Sequence, residues 1–401
     1  MMNSQSLLRV LHIGKFYPPF VGGMENFIGD LLPALERCGI TTAALVHGHE
    51  FGRRCTYTKD EENRIFRAPS YGNLLFAPVS PVFPIYLLRI IADFKPHILH
   101  MHLPNISAFC AILFSRTRKI PWILQWQSDV IFSEINFRLS AAYRPFEQYL
   151  LGKAKQIIVA TPPYLSSSAA LSKWQGKCRV IPLGLDEKRF EKPGANLLKW
   201  AETIWRPGKM RVLSIGRLTY YKGHEILIKA ATKLPETHTL IIGKGDLRDR
   251  LDNMVRTWGL NERVELVGFV SDEKLTALLA TCDVLCLPSI ERTEAFGLVL
   301  LEAMTFSKPV IVSNVPGSGM GWIVCHEKTG LHVVPGDADD LSTALQLLCD
   351  KPEMRKTLGN AGKLRFNEFF RIEQTAERTA SLYQELIQHK NDSILPKTER
   401  K

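Results

Sequence analysis

Met210-Arg211-Val212-Leu213-Ser214-Ile215-Gly216 is a short aliphatic run closed by glycine, and it restarts a pattern the chain has already run through once. Such a run, too short for a buried helix and bounded by a turn residue, reads as a buried strand. Comparable runs recur at 239–242, 264–267, 284–287, 310–312 and 330–334. The intervals between them accommodate helices, and strands alternating with helices imply a parallel, doubly wound sheet. Before Met210 the same alternation occupies 9–13, 42–46, 98–101, 122–126, 156–160 and 180–183. Its first unit is the most legible. A strand ends at Gly14, a loop carries Tyr17-Pro18-Pro19 and Gly22-Gly23, and Phe27, Leu31, Leu32 and Leu35 recur at helical spacing until Gly39. Residues 184–209, with Pro193, Gly194, Pro207 and Gly208 and no sustained strand, read as a domain linker. The tail from about 373 to 388 reads as a helix with Ala376, Ala380, Leu382, Leu386 and Ile387 on one face.

Two α/β domains fit the length of 401 residues, and 45% apolar with 23% charged residues is ordinary globular composition, which excludes disorder, collagen and coiled coil. The most apolar segment, 82–91, is interrupted by Pro84 and Arg89, so no stretch reaches the length of a membrane span. The first residues pass into a strand without the apolar core of a signal peptide, and the expected location is cytoplasmic. The eight cysteines are scattered, and only Cys282 and Cys286 are close, at C-x3-C spacing; they read as buried free thiols. Of the net charge of +11, residues 1–190 carry +9. A basic half suits nucleic acid, an anionic membrane face or an anionic substrate, and composition does not choose among them.

Two sheets in tandem place their carboxyl ends on either side of a cleft, where open α/β sheets bind ligands. The richest candidate segment there is Ser289-Ile290-Glu291-Arg292-Thr293-Glu294-Ala295-Phe296-Gly297-Leu298-Val299-Leu300-Leu301-Glu302. It leaves a strand and opens an apolar helix. The free amides of Phe296, Gly297 and Leu298 would form a site for phosphate or a sugar hydroxyl. Glu294 precedes that site, and Glu302 lies within the helix, where a solvent-facing or salt-bridged helix residue is the competing reading. Arg217 and Lys222, at the exit of the 210–216 strand, offer a planar fork and a mobile point charge for phosphate oxygens; alone they would be two solvated cations. Gly243-Lys244-Gly245-Asp246 does not complete G-x-G-x-x-G, because position 248 is Arg. Gly268 to Val270 could hydrogen-bond a base through backbone, or be a plain strand-loop junction. In the first half, Gly22-Gly23 allows close backbone approach, and His102, two residues after His100 at a strand end, would point into the cleft. No metal-binding pattern, no G-x-S-x-G and no Walker A occurs; no metal or other cofactor is expected.

On these residues the chain resembles the retaining nucleotide-sugar glycosyltransferases of family 4, over nearly its whole length. Glu294 and Glu302 match that family's E-x7-E motif, in which the first Glu lies at the donor sugar and the second holds the ribose. Arg217 and Lys222 match its basic pair on the diphosphate, Gly22-Gly23 its glycine loop, and His102 the histidine beside the transferred sugar. Gln125-Trp126-Gln127-Ser128-Asp129 looks like the W/Y-H-S-D segment of bacterial members that build O-antigen and exopolysaccharide, with Gln127 in place of His. Pro316 to Trp322 resembles the G-T-G segment of that subgroup.

The resemblance implies the GT-B fold: two Rossmann-like doubly wound domains facing across a cleft, 1–185 for the acceptor and 186–372 for the donor, with a tail helix (about 373–401) crossing back. The expected activity is retaining, metal-independent transfer of a hexose from a nucleotide diphosphate sugar, GDP-mannose-like or UDP-linked, to a glycan or lipid-linked glycan in bacterial polysaccharide biosynthesis. His102 and Glu294 are the expected catalytic residues. The donor would be bound by Gly22, Gly23, Arg217, Lys222, Gly268, Val270, Phe296, Gly297, Leu298 and Glu302, with Tyr17, Gln127 and Asp129 on the acceptor side. The basic first half then suits peripheral contact with an anionic membrane face carrying the acceptor. Two rivals are kept: a sugar-nucleotide epimerase of the same architecture, disfavoured by the E-x7-E arrangement, and a nucleotide- or nucleic-acid-binding protein. No aromatic-basic interleaving supports the latter, so nucleic acid is not an expected partner.

Overall fold

Runs such as Ile98–Leu103 and Thr237–Ile242 are buried at every position in the computed structural model, as parallel strands covered by helices on both faces must be. The structure describes residues 8–20, 22–51, 56–59, 64–74, 77–130 and 137–392. The chain divides into two compact units, one of Met1–Gly184 with Ile372–Lys401, the other of Leu185–Arg371.

The first unit holds β1 (Leu8–Ile13), β2 (Ile40–Phe51), β3 (Thr56–Lys59), β4 (Arg64–Ser70), a separate ladder of β5 (Asn73–Leu74) and β6 (Ala77–Pro78), then β7 (Ile98–Leu103), β8 (Trp122–Trp126), β9 (Gln156–Val159) and β10 (Cys178–Val180). The main sheet runs β10-β9-β8-β7-β1-β2-β4-β3, parallel except for the antiparallel edge strand β3. Strands β3 to β6 lie in a stretch whose mixed polar and apolar residues gave no strand pattern. The helix Gly23–Arg37 buries Phe27, Ile28, Leu31, Leu32 and Leu35 and ends before Gly39, whose φ of 79° is a conformation glycine adopts without strain. Each such buried side chain contributes about 1.5–3 kcal/mol. The tail helix Ile372–Asp392 belongs to this unit and buries Ala376, Thr379, Ala380, Leu382 and Tyr383. The Thr375 hydroxyl donates to the Pro182 carbonyl at 2.9 Å.

The second unit is wholly parallel: β11 (Met210–Ile215), β12 (Thr237–Ile242), β13 (Val264–Gly268), β14 (Val284–Leu287), β15 (Val310–Ser313) and β16 (Gly330–Val333), in the order β13-β12-β11-β14-β15-β16. Strand order reverses between β11 and β14, and in the first unit between β1 and β7. Such switch points leave a crevice at the strands' carboxyl ends. Both carry the residues singled out by sequence.

The expected linker at 184–209 is corrected. Pro193 and Gly194 precede a helix, Ala195–Ile204, whose N-cap is Gly194, and the units divide at 184/185. That helix packs on Asp272–Thr281, with the Trp205 indole donating to the Thr281 hydroxyl at 2.9 Å and the Lys274 ammonium 4.9 Å above the Trp200 ring. Proline and glycine here mark a helix start, not a free connector.

Candidate functional site

In the second unit, Lys222 closes a single 3-10 turn, Tyr220–Lys222. The next residue, Gly223, has a φ of 68°, and a Cβ there would lie 2.0 Å from the Pro288 carbonyl oxygen. Only glycine lets the loop after β11 lie against the loop after β14. The Ile290 amide donates to the Tyr221 carbonyl at 2.8 Å and joins the same two loops. As a result the Lys222 ammonium and the Glu294 carboxylate form an ion pair with side chains only 13% and 11% exposed. Ser289 donates to the same carboxylate at 3.4 Å. The segment around Pro316 to Trp322 borders it too: the Ser318 hydroxyl donates to the Glu294 carbonyl at 2.5 Å and the Gly319 amide to the Ala295 carbonyl at 2.8 Å. Nearby, burial and then the charge of Lys222 push the His224 imidazole down to about 4.

Gly297, with a φ of 80°, caps the helix Leu298–Thr305. The amides of Phe296, Gly297 and Leu298 find no acceptor among the described residues, which leaves partial positive charge for an anion. Phe296 itself is buried, its ring edge-on to Phe370 at 6.3 Å. Glu302 sits one turn in, about 6 Å along the axis, and is buried, as are Leu300, Leu301, Ala303 and Met304 of the same helix. Arg217 is exposed, and its guanidinium makes no hydrogen bond or ion pair among the described residues. Arg217, Lys222, Glu294, the free amides and Glu302 thus issue from neighbouring strands. Gly268 instead ends the edge strand β13, and Val270 lies in the loop after it. Gly268 has a φ of 85° and its carbonyl accepts from Gly243 at 2.9 Å, while Phe269 between them is exposed under the Lys244 ammonium.

In the first unit, Gly22 is the N-cap of Gly23–Arg37 in extended backbone; a Cβ there would meet the Glu25 carboxylate, so its use is space, not an unusual φ. Three expectations are corrected. His102, expected to point into the cleft, is 2% exposed, on the same sheet face as His100, with its Nε2 hydrogen-bonded to His12 Nδ1 at 3.0 Å. Strand alternation dictates this, because residues 100 and 102 must share a face. Tyr17, expected on the acceptor side, packs with Ile28, Leu32, Ala44, Val46 and Ile65. The Asp129 carboxylate accepts from the Trp126 indole at 2.9 Å and the Ser168 hydroxyl at 2.6 Å, which occupies it in holding the loop after β8. Gln127 is buried at the end of β8, its amide nitrogen Nε2 without a partner among the described residues. Glu147, which no sequence pattern marked, is buried, and its carboxyl is pushed up to about 7 by desolvation and then by Asp129.

His12 and Tyr383 escaped sequence reading as well. Among the described residues the one cluster with metal-type donors is His12, His100 and His102, with ligand atoms within 4.8 Å of one another. Burial holds all three imidazoles well below their ordinary range, His102 at about 3, so they are neutral at pH 7. With one nitrogen pair already hydrogen-bonded and no carboxylate in the trio to offset a buried dication, the arrangement fits hydrogen bonding better than ligation.

Comparison with known proteins identifies the family and the fold. Residues 22–184 match the "Glycosyl transferase 4-like domain" model and residues 201–365 the "Glycosyl transferases group 1" model. The chain is 29% identical to the O-antigen chain mannosyltransferase C of Escherichia coli, over 96% of this chain and all of that protein. It is 32% identical to the glycogen synthase of Mycobacterium tuberculosis over 94% of each. Among solved structures, the sucrose-phosphate synthase from Thermosynechococcus elongatus superposes with a TM-score of 0.80 at 24% identity, covering 95% of this chain and 100% of that one. Anabaena HepE in complex with UDP-glucose superposes with a TM-score of 0.73 at 17% identity, covering 94% and 100%. By both domain models and by full-length relatives, this chain belongs to the group 1 glycosyltransferases and is a glycosyltransferase of the GT-B fold class.

Proposed function

We propose that the protein transfers a hexose, with retention and without a metal, from a nucleoside diphosphate sugar to a glycan or lipid-linked glycan of a bacterial surface polysaccharide. The observation that carries this reading is the convergence at the β11/β14 switch point of Lys222 paired to Glu294, the exposed Arg217 and the unsatisfied amides of Phe296 to Leu298. Two cations and a helix N-terminus suit a diphosphate, and charge developing on that leaving group would be stabilised there. In same-face transfer the hydroxyl of the acceptor attacks the anomeric carbon as the sugar-phosphate bond breaks, and its proton goes to the departing diphosphate oxygen. Glu294 stands next to Lys222 and would orient the sugar; Glu302, one turn along, would meet the ribose. Gly22, Gly23, Gly268 and Val270 would complete the donor contacts. Full-length similarity to an O-antigen mannosyltransferase favours GDP-mannose as the donor, with UDP-sugars next.

The acceptor side is read from charge and exposed apolar area. Ile106, Leu113 and Phe146 are exposed, Arg116, Arg118 and Lys119 are exposed a few residues after Leu113 in the chain, and the Phe109 ring lies 5.6 Å from Phe146. Apolar side chains among cations favour an anionic lipid surface, at about 1 kcal/mol per well-placed cation. Cosedimentation with phosphatidylglycerol vesicles, absent with phosphatidylcholine alone, tests this.

A thermal-shift screen against GDP-mannose, UDP-glucose, UDP-GlcNAc, dTDP-rhamnose and the free diphosphates tests the donor. A ligand at 100 times its Kd stabilises by about 2.7 kcal/mol, so one nucleotide series should stand out. Silence across all of them, with salt-steep binding to DNA or RNA, would overturn the proposal.

A further inference from the structure

Gly243-Lys244-Gly245 follows β12, breaks the spacing of a dinucleotide fingerprint at Arg248, and is left unused by the proposed donor contacts. Its two glycines have another use. Gly243 has a φ of 148°, and a Cβ there would lie 1.9 Å from the Gly216 carbonyl oxygen; one at Gly245 would lie 2.3 Å from that of Leu218. Both therefore let the loop after β12 lie against the loop after β11, which carries Arg217. The Leu218 amide donates to the Lys244 carbonyl at 2.9 Å, and the Gly243 amide to the Gly268 carbonyl, also at 2.9 Å. The loops after β11, β12 and β13 are thus pinned to one another, with Lys244 on the middle one.

What this holds in place is an exposed pair of side chains. The Lys244 ammonium stands 5.2 Å from the centroid of the Phe269 ring, and Phe269 is 56% exposed. Phe269 lies between Gly268 and Val270, the two positions read as meeting the base. Arg248, whose guanidinium lies 3.5 Å from where a Cβ at Gly268 would stand, is already paired to Asp252 at 2.7 Å. Lys244 is exposed and forms no ion pair among the described residues, so its charge is available to a ligand. In this sheet β13 is two strands from β11, about 10 Å at the usual strand spacing. A nucleotide whose diphosphate meets Arg217 and Lys222 carries its base at a comparable distance.

We infer that Lys244 and Phe269 form the base-reading end of the donor site and select a base with a ring carbonyl, guanine or uracil, against adenine. The inference rests on the reading of the β11/β14 crevice as a sugar-nucleotide site. Phe269 offers an apolar ring on which any base stacks, and so sets no preference. The ammonium supplies the preference. It has three donors and no acceptor. Guanine O6 and uracil O4 accept from it, whereas adenine presents an amino group, itself a donor, at the same place.

The test uses the full chain and titration calorimetry with GDP, UDP, ADP and two diphosphates that each lack the one oxygen. These are the 2-aminopurine riboside counterpart of GDP and the pyrimidin-2-one riboside counterpart of UDP. The variants are Lys244→Met and Phe269→Ala, both at exposed positions. The parent should bind GDP or UDP roughly 10-fold more tightly than ADP and than the counterpart lacking the oxygen, the low end for a charge-assisted contact because the site is open. In Lys244→Met that advantage should vanish, with the affinity for ADP and for the counterpart unchanged. Phe269→Ala should weaken every base by about fivefold or more and leave their ranking intact. A parent that binds ADP as tightly as GDP and UDP overturns the inference, and so does an equal loss for all ligands in Lys244→Met, which would reduce Lys244 to general attraction for the diphosphate. If nucleoside diphosphates bind and Lys244→Met keeps the parental ratio between the oxo base and its counterpart, the inference fails and the donor-site reading stands. If no nucleoside diphosphate binds the parent, the reading beneath fails and the inference with it.

Discussion

Lys222→Met tests the donor site most directly, because it removes one charge and nearly preserves side-chain volume. In the parent the ammonium is paired to Glu294 with both side chains close to nine-tenths buried, and its methylenes run along Gly216. Breaking a fully buried pair costs about 3–5 kcal/mol, since the remaining charge is left without compensation. The residual exposure and the Ser289 hydrogen bond to Glu294 reduce this to about 1–3 kcal/mol. A charge-assisted contact to diphosphate contributes about 1.5–3 kcal/mol, so nucleoside diphosphate should bind roughly 10- to 150-fold more weakly. The two effects separate in Lys222→Met/Glu294→Gln, which removes both charges: stability should return to within about 1 kcal/mol of the parent, while affinity remains lost. Urea unfolding measures the first quantity and titration calorimetry with the free diphosphate the second. Equal diphosphate affinity in Lys222→Met and parent would refute the assignment.

Acid should destabilise the first unit. His47 at about 4 and His102 at about 3 are held below the unfolded value of about 6.5 by burial, and His12 and His100 shift in the same direction. The unfolded chain then binds more protons, so stability is complete above about pH 6.5 and falls as pH drops toward the folded values. His47 and His102 together should cost roughly 3 kcal/mol at about pH 5.5, and urea midpoints that do not fall between pH 7 and 5.5 would contradict the buried neutral cluster. Gly223→Ala should destabilise by at least about 2 kcal/mol, from its φ of 68° and the clash with the Pro288 carbonyl, and should weaken diphosphate binding; a parental urea midpoint would show that the two loops do not meet as described. EDTA should leave turnover unchanged. Its abolition, with rescue by Mg²⁺, would replace the role given to Arg217 and Lys222 by that of a metal.

Much of this is legible in the sequence. Buried parallel strands are nearly continuous apolar runs, which is why 210–216 and its repeats announce themselves, and glycines that end strands or cap helices punctuate them. Strands β3 and β4, with Lys59, Arg64 and Arg67 among their residues, carry no such signal because an edge of the sheet tolerates charge. Pro193-Gly194 reads as a linker because the same two residues that open a loop also open a helix. Glu294, Lys222 and Arg217 were found as types in pattern, yet nothing in their spacing says that Lys222 and Glu294 pair.

The sequence by itself determined the two-domain α/β architecture, the strands whose ends carry the site, and the family motifs, because these depend on local periodicity and on residues a few positions apart. Tertiary structure alone decided that Gly223 must meet Pro288, that Tyr17 and Asp129 serve the packing and hydrogen bonding of their own unit, and that His12, His100, His102 and Tyr383 form one buried layer. His12 and His102 are 90 positions apart, and His100 and Tyr383 are 283. Their meeting is set by which strands lie side by side and which helix covers them, and no local pattern in a single chain encodes that register.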